Sequence, residues 1–465
     1  MKKLLSAPTA VNLELTEICN VKCRHCYNFW RDESIGTVSI TEEKFDLIID
    51  RLLDAGVFHV ILTGGEPFAK FNLLEYGLRK LNEANISYSC NSNLMLATDE
   101  KCKRLADVGL DHILTSLPSC DPETNDYIMQ QKGAFVRIIK GMDAAIRNGI
   151  RVSVNMVINR NNMHQVYESG KLIAEMGCQK LFVTRSVPPL YSHGTSKNTD
   201  YSLTLEETRN VLDEAIRVRD DFGVMIGTLV SYPLCALEDL EKYKDFVGRG
   251  CPAQSGHILS FNANGNAHAC VHEEETYGNI FDQPLQEIFT SSRLRNWHDG
   301  SYHYEGCNGC PYINICESGC SMTANATEGE HKLKDPLFVG PHNFSKHYKV
   351  ISDDKIIDEI RNGLRFTAPK RLRFRQENGF HLINMRWANT MPIDSEIAEF
   401  LISYQKSGIS FGIEEFGMNR TKLLANLFFK DAVETTNFEF EDLRNMAGLS
   451  INLDALPSFL TEDTI

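Results

Sequence analysis

The chain has 465 residues, 42% of them hydrophobic and 24% charged, which describes a globular protein too long for one core and predicts two or three domains. Its 48 Lys and Arg against 62 Asp and Glu leave a net charge of -14, the wrong sign for a surface that grips nucleic-acid phosphates; only a local basic patch could take an acidic peptide. After the basic start MKKLLSAPTA no apolar run reaches signal or transmembrane length, so no membrane is expected and the predicted location is cytoplasmic; there, fourteen cysteines favour metal or redox chemistry over disulfides.

Short runs rich in β-branched residues recur along the first half: 13–16, 59–67, 87–93, 112–117, 151–159 and 180–185. Helical patterns lie between them at 42–56, 99–109, 135–149 and 163–177, with glycine where a helix end wants a left-handed residue. Strand, helix, strand at this spacing predicts parallel βαβ units, and six of them make a partial (β/α)6 TIM-like barrel of the α/β class. Chemistry then belongs at the C-terminal ends of the strands.

Two groups fall on that rim. Cys19, Cys23 and Cys26 follow the first strand in ICNVKCRHCYNFW, and Gly64-Gly65-Glu66-Pro67 follow the second. Three close thiolates fit a zinc site completed by a fourth ligand such as His25, or a 4Fe-4S cluster that leaves one iron open. Cys90, Cys102, Cys120 and Cys178 stand singly and read as small core hydrophobes.

Cys-x3-Cys-x2-Cys after strand one, His25 just before the third cysteine, and GGEP after strand two closely resemble the radical S-adenosylmethionine enzymes. The resemblance implies that the open iron binds S-adenosylmethionine, whose cleavage gives a 5'-deoxyadenosyl radical. It also implies that Gly64, Gly65 and Glu66 approach the methionyl part of the cofactor, with Ser116 and Asn155 as further contacts at the ends of strands four and five. Relatives carry an arginine near the cofactor carboxylate, where this chain has Gln130, Gln131 and Lys132.

Cys235, Cys251, Cys270, Cys307, Cys310, Cys316 and Cys320 crowd into a later region. There, thirteen residues separate Cys251 from Gly265, four more precede Cys270, and spacings of two, five and three follow in CNGCPYINICESGC, a pattern similar to a SPASM domain with two auxiliary iron-sulfur clusters. A pair of zinc knuckles is the rival reading of the CxxC element. The family's interleaving implies Cys235, Cys251, Cys270 and Cys320 for auxiliary cluster I, and Cys307, Cys310 and Cys316 for cluster II. Phe338 stands where the last thiolate of cluster II belongs, so its fourth ligand is expected to be Asp335, His331, His342, a group from elsewhere, or nothing.

These patterns imply a radical core at 1–225, a SPASM region at 226–348 and a C-terminal domain at 349–465. The last reads as a hairpin turning at Asn378-Gly379, followed by amphipathic helices at 395–408 and 422–434. That order suggests a small α+β winged-helix-like unit resembling PqqD-like leader-recognition elements, with the basic run Lys370 to Arg375 facing an acidic leader.

The expected substrate is a precursor peptide with a leader segment, the expected reductant a flavodoxin or ferredoxin, and the outcome a crosslink, excision, epimerisation or oxidation. A sulfatase-maturase-like formylglycine-forming enzyme is weakened by Val271, since such enzymes carry an acidic residue after the cysteine matching Cys270. A non-catalytic metal-binding peptide scaffold is the alternative from another class.

Overall fold

The computed structural model describes residues 4–28, 38–188, 202–247, 250–341, 344–345, 354–385 and 389–435. His342, named above, and the residues from 436 onward lie outside them. By its contacts the chain divides into two compact units, Met1–Glu238 with Arg249–Phe344, and Asp239–Gly248 with Ser345–Ile465.

The first unit is built on one nine-stranded sheet. Its strands are β1 Ala10–Glu14, β2 His59–Thr63, β3 Ser87–Ser92, β4 His112–Ser116, β5 Arg151–Ile158, β6 Lys180–Arg185, β7 Met225–Gly227, β8 Ile258–Phe261 and β9 Ala267–His268. The order is β7-β6-β5-β4-β3-β2-β1-β8-β9, parallel throughout except for the final β8–β9 pair. Helices α1 Glu42–Asp54, α2 Phe71–Glu83, α3 Asp99–Asp107, α4 Pro122–Met129, α5 Ala134–Arg147, α6 Val166–Glu175 and α7 Leu205–Phe222 connect the core strands.

This is the expected α/β partial barrel with two additions. A short seventh strand extends one edge, and β8, from the cysteine-rich region, pairs in parallel with β1 at the other. The first strand starts three residues earlier than its sequence run because burial begins there: Val11, Leu13 and Leu15 are fully buried. The second ends at Thr63, since Gly64 takes φ +138° and turns the chain away.

Alternation along the strands puts a polar series on one face, a pattern a helix-covered parallel sheet does not need. His59 bonds Ser87 at 2.8 Å and Ser89 at 3.0 Å across β2 and β3, and His112 bonds Ser153 at 2.9 Å across β4 and β5.

The second unit pairs β11 Arg373–Glu377, β12 Phe380–Asn384 and β13 Thr390–Ile393 as an antiparallel meander, beside the two-stranded pair β10 Phe366–Thr367 and β14 Glu434–Thr435. The Asn378-Gly379 turn joins β11 to β12, with Gly379 at φ +82°. Helices Ser395–Ser407 and Thr421–Phe429 follow, and Ile397, Leu401, Phe411, Leu424 and Phe428 fill the core. The three arginines of the basic run are engaged within the unit, while Lys370 is exposed. Arg371 pairs with Asp431 and Glu434, Arg375 with Glu377, and Arg373 with Asn384.

Candidate active site and cysteine centres

The loop after β1 and the loop after β2 are locked together by backbone. Gly65 N–H donates to the Thr16 carbonyl at 2.7 Å and Glu66 N–H to the Ile18 carbonyl at 2.8 Å, one residue before Cys19. A Cβ on Gly64 would lie 2.5 Å from the Thr16 oxygen, and one on Gly65 would lie 2.3 Å from the Ile18 oxygen. The two glycines thus serve the approach of one loop to the other. This is a reason for glycine that the cofactor-based expectation did not contain.

Glu66 is buried and its carboxylate is engaged locally. Its oxygens accept from Phe68 N–H at 3.0 Å, Ser92 Oγ at 2.7 Å and Asn93 N–H at 2.8 Å. Burial lifts the carboxyl above its ordinary value, against those three donors. The side chain fastens the GGEP loop to the end of β3, and the backbone of the loop is left to face a ligand.

Cys19, Cys23 and Cys26 are all partly exposed on their loop. Arg24 anchors it: its backbone N–H donates to Ile128 at 2.9 Å, its Nε to the Tyr127 carbonyl at 3.1 Å, and its guanidinium lies 4.1 Å from the Tyr127 ring centre. Both partners lie on α4, whose Met129 places its sulfur 3.5 Å from Cys23 Sγ. Sequence reasoning passed over Arg24. Its only signal was a position inside the motif. His25 sits beside it on the same loop, half-buried.

Ser116 and Asn155 are brought together as register partners of β4 and β5, and Thr184 of β6 donates to Asn155 Oδ1 at 2.6 Å. Gln130, Gln131 and Lys132 form the turn between α4 and α5, with Gln130 left-handed at φ 51° and both Gln130 and Lys132 exposed.

The later cysteines divide differently from the expectation. Cys235 lines a small cavity together with Cys307, Cys310 and Cys316, and Phe338 lines the same space. Leu234 N–H points at Cys316 Sγ, 3.4 Å away. Burial pushes the Cys316 thiol up to about 12, with Cys235 and Cys307 adding to it. In the structure Cys235 thus lies with Cys307, Cys310 and Cys316 and beside Phe338, where the expected grouping had put it with Cys251, Cys270 and Cys320. Asp335 and His331, the described residues expected as alternatives, have partners of their own. Asp335 is fully buried in a two-pronged pair with Arg185 and also accepts from Cys320 N–H at 3.0 Å and Leu337 N–H at 2.9 Å. His331 pairs with Glu273 at 3.0 Å and stacks on Tyr302.

Cys251, Cys270 and Cys320 make the other set. Burial pushes Cys251 up to about 12 with Cys320 contributing, and it raises Cys270 well above its ordinary value with Cys251 and Cys320 contributing. Tyr27 connects this set to the first loop. Burial first, then Glu14, Cys26 and Cys270, hold its phenol above the ordinary range, and its ring lies 5.0 Å from that of His272.

Both groupings suit iron-sulfur clusters by their donor chemistry. Among the described residues no three His, Cys, Asp or Glu side chains converge at single-ion distance.

A second, small cavity is lined by Asn12, Glu14, Asn28, Asn262, His268 and Glu273, with Phe261 and Val271. Asn28 Nδ2 donates to the Gly64 carbonyl at 3.4 Å, so this polar space borders the GGEP loop.

The loop cysteines, the GGEP turn and the α/β sheet lie in a radical S-adenosylmethionine domain, which an iron-sulfur SPASM region follows. Residues 13–173 match the radical SAM superfamily model, and residues 251–311 match the SPASM iron-sulfur cluster-binding domain. The cofactors are thus S-adenosylmethionine, a 4Fe-4S cluster and auxiliary iron-sulfur clusters.

Among curated relatives, the AdoMet-dependent heme synthase of Methanosarcina barkeri is 23% identical, over 73% of this chain and 98% of that protein. The PqqA peptide cyclase of Rhizobium meliloti is 25% identical, over 71% and 87%. Among solved structures, Streptococcus suis SuiB bound to precursor peptide SuiA superposes with a TM-score of 0.58 at 19% identity, over 71% of this chain and 75% of that one. No helix among the described residues is long and apolar enough to cross a membrane.

Proposed function

We propose that this enzyme modifies a ribosomally made precursor peptide at an unactivated carbon. Supporting it above all is the convergence of one exposed three-thiol loop, the GGEP backbone and two further cysteine sets in a single compact unit. When bound, S-adenosylmethionine and the cluster supply a carbon radical able to take a hydrogen atom from such a carbon. The chain's own residues do the rest. Cys19, Cys23 and Cys26 would hold the cluster, the Gly64–Gly65 backbone and the Ser116–Asn155 pair would orient the cofactor, and the polar cavity at Glu14, Asn28 and Glu273 would receive substrate groups that donate hydrogen bonds.

The relatives' names point two ways, to peptides and to haem, and the second unit supports the peptide. Its meander has β11 and β13 as outer strands, beside which an extended leader could add as a further strand. We assign leader binding to 349–465 on that basis, and place the core and SPASM regions at 1–225 and 226–348. The arginines of the basic run do not serve this binding, because they are engaged internally.

The decisive experiment is anaerobic incubation of the full chain with S-adenosylmethionine, a flavodoxin or chemical reductant, and leader-bearing peptides encoded nearby, followed by mass spectrometry. A mass change in peptide with formation of 5'-deoxyadenosine supports the proposal. Cofactor cleavage with conversion of a porphyrin instead would overturn the peptide assignment. A chain ending at residue 348 should still cleave the cofactor but bind leader peptide at least about tenfold more weakly, a loss of ~1.4 kcal/mol.

A further inference from the structure

With Cys235 placed beside Cys307, Cys310 and Cys316, the set Cys251, Cys270 and Cys320 is one thiol short. No other cysteine is at hand to supply it. Cys90, Cys102 and Cys178 are buried in β3, in α3 and ahead of β6, Cys120 follows β4, and the remaining three belong to the first loop.

A different donor stands next to the gap. His272 follows Cys270 by two residues, and its Nδ1 lies 3.6 Å from Cys270 Sγ. The geometry is a consequence of the local turn, in which Glu273 N–H bonds the Cys270 carbonyl at 3.0 Å and folds the His272 side chain back alongside the thiol. The turn is pinned from outside by the Glu273–His331 pair at 3.0 Å. The Tyr27 ring limits where the imidazole can go, at 5.0 Å between centroids. An imidazole nitrogen is an established substitute for a thiolate at iron in sulfur clusters, and a spacing of 3.6 Å suits two donors that share one iron, as in a 2Fe-2S centre where each iron takes two protein ligands.

We propose that His272 is the fourth protein ligand of the first auxiliary centre. The two auxiliary centres of this chain then differ in kind: Cys251, Cys270, Cys320 and His272 hold one, and Cys235, Cys307, Cys310 and Cys316 hold the other. The inference rests on the reading of both sets as iron-sulfur sites. A neutral imidazole in place of a thiolate removes one negative charge from the ligand shell, so the first centre takes up an electron at a higher potential than the second.

The test uses the full chain with Cys19, Cys23 and Cys26 changed to alanine, so that only the auxiliary centres contribute, isolated anaerobically with 15N-labelled histidine. Electron-nuclear double resonance of the reduced protein should show one strongly coupled histidine nitrogen. His272→Cys should remove that coupling, keep the iron and sulfide content, and lower the potential of one centre. Cys235→Ser should disturb the other centre and leave the nitrogen coupling in place.

An absent nitrogen coupling in protein with full iron content, or a coupling that survives His272→Cys, overturns the ligand assignment alone. Loss of the coupling in Cys235→Ser overturns the partition of the cysteines. Protein that binds neither iron nor sulfide overturns the cluster reading and the inference with it. Use of His272→Cys alongside His272→Ala keeps the result readable if the smaller residue fails to fold.

Discussion

The thiols of Cys19, Cys23 and Cys26 lie on one loop and are all partly open to solvent, whereas the later seven come from several segments, with Cys235, Cys251, Cys307 and Cys320 buried and Cys270, Cys310 and Cys316 partly so. The first set is organised by the strand end beneath it and by Arg24 on α4, so its geometry is local. The later sets exist only once the region around β8 and β9 has folded onto the core sheet. A partly exposed set leaves room for a small-molecule ligand, and a buried one couples metal binding to folding.

The sharpest way to break that comparison is Cys23→Ala. Formation of 5'-deoxyadenosine should fall to background, while unfolding free energy changes by no more than ~1 kcal/mol, as for a partly exposed loop position. The checks are product chromatography and denaturant unfolding of the same preparation. A large loss of stability would show that the first loop is as integral to the fold as the buried sets.

Next in size is the buried pair of Arg185 and Asp335, whose side chains are 9% and 0% exposed. Burial works against the guanidinium charge, yet Asp335 outweighs it and raises the Arg185 pKa further above its ordinary value. Asp335→Ala should therefore cost about 3–5 kcal/mol, because it strands a buried cation, and should leave the spectrum of any auxiliary centre that still assembles unchanged. If Asp335 were a cluster ligand instead, the spectrum would change even in a folded variant, and thermal unfolding measured with iron content separates the two cases.

Much of this was legible in the sequence because it is periodic or contiguous. The β-branched runs located six core strands, the glycines after α1, α3, α5 and α6 do take positive φ, and Cys19–Cys26 and GGEP do meet at one rim. What was hidden depends on partners far away in sequence. Order along the chain could not say which set Cys235 would join, that Asp335 would face Arg185, or that β8 would pair with β1. The basic run from Lys370 misled for the same reason, since Asp431 and Glu434 lie some sixty residues downstream of Arg371. Even the glycines of GGEP carried a second reason invisible in the motif, the carbonyls of Thr16 and Ile18.

That second reason gives an expectation of intermediate size. Gly65→Ala would bring a methyl to 2.3 Å from the Ile18 oxygen, a backbone atom that cannot swing aside. The loops should separate slightly, at a cost of about 1–3 kcal/mol, and affinity for S-adenosylmethionine measured by calorimetry should fall with it. Stability lost without any change in affinity would mean that the loop contact is independent of cofactor binding.

The smallest effect belongs to Cys102→Ala, and it tests what makes a cysteine a ligand here. Burial pushes the Cys102 thiol up to about 11, with Asp99 adding to it, and burial likewise pushes Cys251 up to about 12. Burial alone therefore does not separate the two residues. Their company does: Cys320 raises Cys251, while the groups acting on Cys102 are Asp99, Arg147 and Lys101. A lone thiol held protonated among charged helix neighbours packs as a small apolar group, so alanine there should cost ~1 kcal/mol and leave iron content and cofactor cleavage unchanged. Cys251→Ala, at a site that is likewise buried, should lose iron from one auxiliary centre, and identical iron counts in the two variants would mean that proximity to other cysteines does not mark the ligands of this protein.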